Sequence, residues 1–290
     1  MTDKTAPAQR QSNVRCTSPS GLHRMAYYEW GERDNPKVLI CVHGLSRNGR
    51  DFDDLARVLA SDYRVICPDV VGRGRSDWLR DPLAYGIRQD VADMMVLIAR
   101  LDVESVHWLG TSMGGLIGMV LASLEGTPIK RLLLNDVGPV VSPESIKRIG
   151  DYIGRAPKFA NLADAERYIR LVSAPFGPLT DAQWRHLTES SLRQTADGRL
   201  EMSYDPGIAE SFRRTMAAGE IDLWPIYERI SCPTLVVRGA ESDLLTVETI
   251  QAMAVRGPCP RIVEVPGVGH APMFMDDVQI GIVRDFFLAD

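Results

Sequence analysis

The sequence predicts an α/β protein built on a mostly parallel sheet, and two observations carry this. Short apolar runs alternate along the chain with longer stretches whose apolar residues recur every three or four positions, the rhythm of strands separated by covering helices. The middle runs are apolar throughout rather than alternating, Val38-Leu39-Ile40-Cys41-Val42 being the clearest. Strands of that kind are covered on both faces, as in a parallel sheet.

In chain order, strands are expected at Met25–Trp30, Val38–Val42, Tyr63–Cys67, Ser105–Leu109, Arg131–Asn135, Thr234–Arg238 and Arg261–Val265. Helices are expected at Asp51–Ala60, Gly86–Leu101, Met113–Leu124, Val247–Val255 and Val278–Leu288. In the second of these, Val91, Met94, Met95, Ile98 and Leu101 form one apolar stripe. From about Val140 to Arg229 no convincing strand is visible. Four helical pieces replace it, Pro143–Gly154, Leu162–Ser173, Asp181–Leu192 and Gly207–Ala217. A connection of this length is too long for a compact sheet and reads as a helical insert. The expected organisation is a disordered tail over 1–13, a core over 14–139 and 230–290, and a helical cap over 140–229.

The formal charge of −5 and the absence of a Lys/Arg-rich run argue against nucleic acid as a partner. No run approaches the ~18 apolar residues that span a bilayer, and the polar start lacks a secretory signal. Cys16, Cys41, Cys67, Cys232 and Cys259 are odd in number and form no C-x-x-C. Neither metal nor redox cofactor is therefore expected, and a reducing cytoplasm is. Monomer and homodimer stay equally open.

Chemistry gathers around Gly110-Thr111-Ser112-Met113-Gly114, between the run Ser105–Leu109 and a helical stretch. A G-x-S-x-G there marks a sharp strand-to-helix turn that lifts one hydroxyl clear of the backbone. Ser112 needs a base, because an unassisted hydroxyl is protonated at neutral pH. Among five histidines, His270 in Gly267-Val268-Gly269-His270 follows a strand whose end can face the same sheet edge. Two carboxylates follow apolar strands and could orient it, Asp136 and Asp243.

These motifs, with Val42-His43-Gly44-Leu45, Asp69-x-x-Gly72-x-Gly74-x-Ser76 and Arg238-Gly239-x-x-Ser242-Asp243, stand in the order seen in the α/β-hydrolase superfamily. The chain resembles its capped bacterial members, the esterases, enol-lactonases and carbon–carbon hydrolases. The resemblance implies the α/β-hydrolase fold, an eight-stranded sheet with a helical cap, and a triad of Ser112, Asp243 and His270. Asp136 is the alternative acid, since some members place it after the earlier strand. Oxyanion donors would be the backbone N–H groups of Leu45 and Met113, while His43 would shape the first loop. The expected activity is hydrolysis of a carboxylic ester of small to medium acyl size, including a hydroxyacid ester or its oligomer, through an acyl-enzyme. Carbon–carbon or enol-lactone hydrolysis is the alternative within this chemistry, and a ligand sensor with slow hydrolysis is the alternative from another class.

Arg47, Asn48 and Arg50 follow the first loop and read as a solvated helix start, or else as contacts to an acidic substrate group. Trp184, Phe159, Phe176, Trp224, Met216 and Met273 are candidates for an apolar acyl pocket, or else are plain core.

Overall fold

The computed structural model describes residues 9–217 and 221–289. Eight strands form the main sheet: β1 (Arg10–Ser18), β2 (Gly21–Trp30), β3 (Val38–Val42), β4 (Arg64–Pro68), β5 (Val106–Thr111), β6 (Ile129–Asn135), β7 (Thr234–Gly239) and β8 (Arg261–Val265). Their spatial order is β1-β2-β4-β3-β5-β6-β7-β8. β2 pairs antiparallel with β1 and β4, and from β4 to β8 every pair is parallel. The order reverses between β3 and β5, and the carboxyl ends of strands at such a switch leave a crevice.

β3 and β4 are buried at every position, so strand alternation sorts their side chains into two cores. Leu39, Cys41, Val65 and Cys67 pack on one face with Leu109 and Val237. There they meet α1 (Asp53–Leu59) and the last helix, α10 (Asp277–Phe287). Ile40, Val42 and Ile66 pack on the other face with Trp108 and Leu134, under α2 (Ile87–Leu101), α3 (Met113–Ala122) and α9 (Val247–Met253). Truncating a fully buried residue such as Leu39 or Ile40 to Ala costs about 2–5 kcal/mol in such a core.

All seven strands read from the sequence are present. The eighth is β1, and it corrects the expected tail over 1–13. Arg10–Asn13 pair with Ala26–Glu29 of β2, while residues 1–8 lie outside the described ones. Only Val14 and Cys16 of β1 are buried, so the strand carries too little apolar pattern to announce itself. It is tied down from the side instead. Cys16, His23 of β2 and Asp93 of α2 cluster within 4.8 Å, and His23 Nε2 lies 2.7 Å from Asp93 Oδ2.

Between β6 and β7 the described residues add no strand to the main sheet. They form α4 (Pro143–Tyr152), α5 (Leu162–Val172), α6 (Asp181–Ser190), α7 (Ile208–Ala217) and the short α8 (Trp224–Tyr227). Side-chain caps start three of these helices: Ser142 accepts from Ser145 N, Asn161 from Asp164 N, and Thr180 from Gln183 N. Short antiparallel strands, unread in the sequence, also occur here. Val140–Val141 pairs with Ile221–Asp222 where the segment leaves and returns, and Leu200–Met202 joins Leu192–Gln194 and Lys158–Phe159. Two or three residues are too few for a period of two to show.

Candidate active site

Ser112 sits between β5 and α3 with φ 52° and ψ −115°, a conformation that costs a non-glycine residue of order 1–3 kcal/mol. Surrounding packing holds it there. A Cβ on Gly110 would overlap the Gly114 carbonyl, and one on Gly114 would overlap the carbonyl of Val42 in β3. Both glycines are therefore required by close backbone approach. Ser112 N donates to Asn135 O at 2.9 Å, and the Trp108 indole donates to Gly114 O at 3.0 Å. Strand, turn and helix are thus fastened before any partner reaches the hydroxyl.

His270 lies on the loop after β8. Its Nε2 is 3.0 Å from Ser112 Oγ, and its Nδ1 is 2.7 Å from Asp136 Oδ2. A carboxylate can only accept, so Nδ1–H donates to Asp136 and Nε2 is free to accept the Ser112 proton. The loop is pinned by Asn135, whose amide donates to Pro272 O at 2.8 Å and to Thr111 Oγ1 at 2.9 Å.

The carboxylate is a correction: the structure brings Asp136 to the imidazole, and Asp243 stands elsewhere. Asp136 is fully buried at the end of β6. Its Oδ1 accepts from Gly239 N at 2.9 Å, and its Oδ2 accepts from Ser242 Oγ at 2.6 Å as well as from His270. Ser242 occupies the inward position of the loop after β7. Asp243, one residue on, points outward with 58% of its side chain exposed and accepts from Arg148 Nη2 at 2.9 Å.

Leu45 and Met113 flank Ser112. Met113 is the first residue of α3, where an N–H has no acceptor within the helix. One buried side chain binds both neighbourhoods: Arg73 Nε donates to Leu45 O at 2.9 Å, Nη1 donates to Val71 O at 2.7 Å, and Nη2 lies 3.3 Å from Met113 Sδ. Arg73 comes from the Gly72-x-Gly74 turn, and Asp69 organises that turn. Its carboxylate accepts from Gly49 N and Arg75 N, both at 2.8 Å. Burial pushes the Asp69 carboxyl up to about 6. His43 is fully buried, its Nδ1–H donating to Gly44 O at 2.7 Å and its Nε2 accepting from Val70 N at 3.0 Å. Burial lowers its pKa to about 3, so it is neutral and shapes the loop.

Ser112 opens onto two cavities. One, about 300 Å³, is lined by Leu45, Met113, Leu116, Val137 and Ile149 among others. Apart from Ser112, its polar lining is Arg73, Asp90 and Thr215. The other, about 110 Å³, contains His270 together with Arg47, Arg148, Tyr152 and Phe176. Arg47 is engaged by Asp51, at 2.9 and 2.5 Å, and by Ser191 Oγ at 2.8 Å. Asn48 caps the helical turn that follows by accepting from Arg50 N, so the segment does start a helical turn, but not a solvated one: Asn48 is buried and Arg47 nearly so. Met273 and Phe176 line the second cavity. Trp184 packs against Ile169 and Leu187, and Trp224 packs at the main core under the Arg256 guanidinium. Asp90 and Arg148 carried no sequence signal, and Arg73 stands only at an unspecified position of the Gly72-x-Gly74 motif.

The chain is similar to known proteins over most of its length. The alpha/beta hydrolase family matches residues 39–279. The chain is 54% identical over 282 residues to a 3-hydroxybutyrate-oligomer hydrolase of Cupriavidus necator, covering 94% of this chain and 96% of that one. A putative hydrolase from Rickettsia typhi superposes with a TM-score of 0.90 at 32% identity, covering 98% and 99% of the two chains. An alpha/beta hydrolase from Novosphingobium aromaticivorans superposes with a TM-score of 0.83 at 35% identity, covering 98% of each.

Proposed function

The chain belongs to the alpha/beta hydrolase family, and from that premise we propose that it hydrolyses ester bonds in short oligomers of a hydroxyacid such as 3-hydroxybutyrate. The observation that carries this is the relay Ser112–His270–Asp136, opening onto one apolar cavity and one cavity containing arginines. Close similarity to the Cupriavidus enzyme supports the substrate class.

Ser112 Oγ attacks the ester carbonyl as His270 Nε2 takes its proton. Asp136 holds the imidazole by Nδ1–H and stabilises the imidazolium. The N–H groups of Leu45 and Met113 receive the oxyanion, each worth about 3 kcal/mol of transition-state stabilisation in such sites. His270 then protonates the leaving oxygen, so the leaving unit lies in the cavity that His270 lines. The acyl unit lies in the apolar one. A released hydroxyacid unit carries a carboxylate, and Arg148, whose present partner is the exposed Asp243, is placed to receive it. Water enters by the same route and frees the acyl group.

Residues 140–229 act as a lid that supplies the outer walls of both cavities. Five free cysteines support a reducing, cytoplasmic setting, and no helix among the described residues is long and apolar enough to cross a membrane.

The test is turnover of linear 3-hydroxybutyrate dimer and trimer beside the Ser112→Ala variant. Monomer release that falls by about 10⁴-fold or more in the variant is the expected result. Absence of turnover on these oligomers and on simple p-nitrophenyl esters would sink the ester reading and favour a ligand sensor.

A further inference from the structure

The apolar cavity contains a charged pair with no place in the relay. Asp90, in the first turn of α2, is 2% exposed, and its Oδ1 has no hydrogen-bond partner among the described residues. Arg73 lines the same cavity and is also 2% exposed. The two form no ion pair, since the hydrogen bonds of Arg73 go to Leu45, Val71 and Met113. A buried carboxylate oxygen left unpaired is costly, and Asp90 lines the cavity where the acyl unit lies.

The chemistry of the pair defines what would satisfy it. An ammonium group would meet Arg73, and a carboxylate would meet Asp90. A hydroxyl suits both, donating to the Asp90 carboxylate and accepting from one of the two guanidinium N–H donors that Arg73 keeps beyond its three bonds. Apart from Ser112 and Thr215, the lining around the pair is aliphatic and aromatic, which suits a short hydrocarbon bearing one such group. We propose that Asp90, with Arg73 lining the same cavity, forms a hydroxyl-recognising subsite that selects a 3-hydroxyacyl group over its unsubstituted counterpart. This deepens the ester reading above and rests on it.

The experiment compares kcat/KM for the p-nitrophenyl esters of 3-hydroxybutyrate and butyrate, which differ only at that hydroxyl. Wild-type enzyme at about pH 8, where Asp90 is ionised, should favour the hydroxy ester by about 10- to 100-fold, the factor given by one hydrogen bond to a charged group. Asp90→Leu should bring the ratio close to one, and Asp90→Asn, which keeps the size and one acceptor, should leave it in between. If Asp90 served only to balance Arg73, both esters would slow together and the ratio would persist, overturning the subsite. A ratio near one in the wild type overturns it too, while turnover of both esters that is lost in Ser112→Ala leaves the ester reading standing. Should the Leu variant fail to fold, inhibition of the wild type by free 3-hydroxybutyrate against butyrate decides the matter. Stronger inhibition by the hydroxyacid supports the subsite, and equal inhibition overturns it.

Discussion

The loops after β6 and β7 each place an aspartate beyond a buried parallel strand, and they set it in opposite environments. Asp136 has no exposed surface and accepts from Gly239 N, Ser242 Oγ and His270 Nδ1. Asp243 is more than half exposed and meets one arginine of α4. The first is held by its neighbours in a single orientation, which orienting an imidazole requires. The second is free to exchange its partner. What separates them is one residue: Ser242 takes the inward position of its loop and reinforces Asp136, and Asp243 is turned to the rim. The comparison breaks or holds most decisively in the rate. Asp136→Asn should lower kcat by about 10⁴-fold, since an amide at that point favours the wrong imidazole tautomer. Asp243→Asn should change kcat by no more than a few-fold. Reversed magnitudes in ester turnover by the two variants would return the acid to the later strand.

This pair also shows where the sequence is readable. The nucleophile and base were legible because each sits in a motif with a local mechanical need, glycines packed against backbone at Gly110 and Gly114, and a loop directly after a strand at His270. The sheet was legible in its middle, where every position of β3 and β4 is buried. The acid was assigned to Asp243 and not to Asp136, because both aspartates follow strands of the same character and the choice rests on which loop residue turns inward. Edge strand β1 was missed because it buries only two residues. Arg73 and Asp90 were missed because the fold alone brings the Gly72 turn and the first turn of α2 to one cavity. No spacing in the chain encodes that meeting.

A smaller effect tests the rim. If Arg148 exchanges Asp243 for a substrate carboxylate, Arg148→Ala should raise KM for a free-acid 3-hydroxybutyrate dimer by about three- to tenfold, the range for a charged hydrogen bond discounted for exposure. KM for the methyl ester of the same dimer should hardly move. High salt should narrow the gap, because a partly exposed pair is screened. Equal rises for both substrates would assign Arg148 to packing of α4 instead.

The contrast between buried and exposed carboxylates ends in stability rather than rate. Burial pushes the Asp90 carboxyl up to about 7 from an ordinary value of 3.8, with Arg73 opposing the rise and Asp93 adding to it. Between those values the folded protein keeps a proton that the unfolded chain has released. The contribution of Asp90 therefore becomes less favourable as pH rises through that window. Asp90→Asn has no proton to lose there. Its Tm relative to wild type should climb between about pH 4 and about pH 7, in the direction fixed by the raised value. Asp69, also raised by burial, titrates in both proteins and cancels from the difference. A Tm difference that stays flat over that range would mean that Asp90 ionises as freely in the folded protein as in the unfolded chain, and its setting in the cavity would not be the apolar one described.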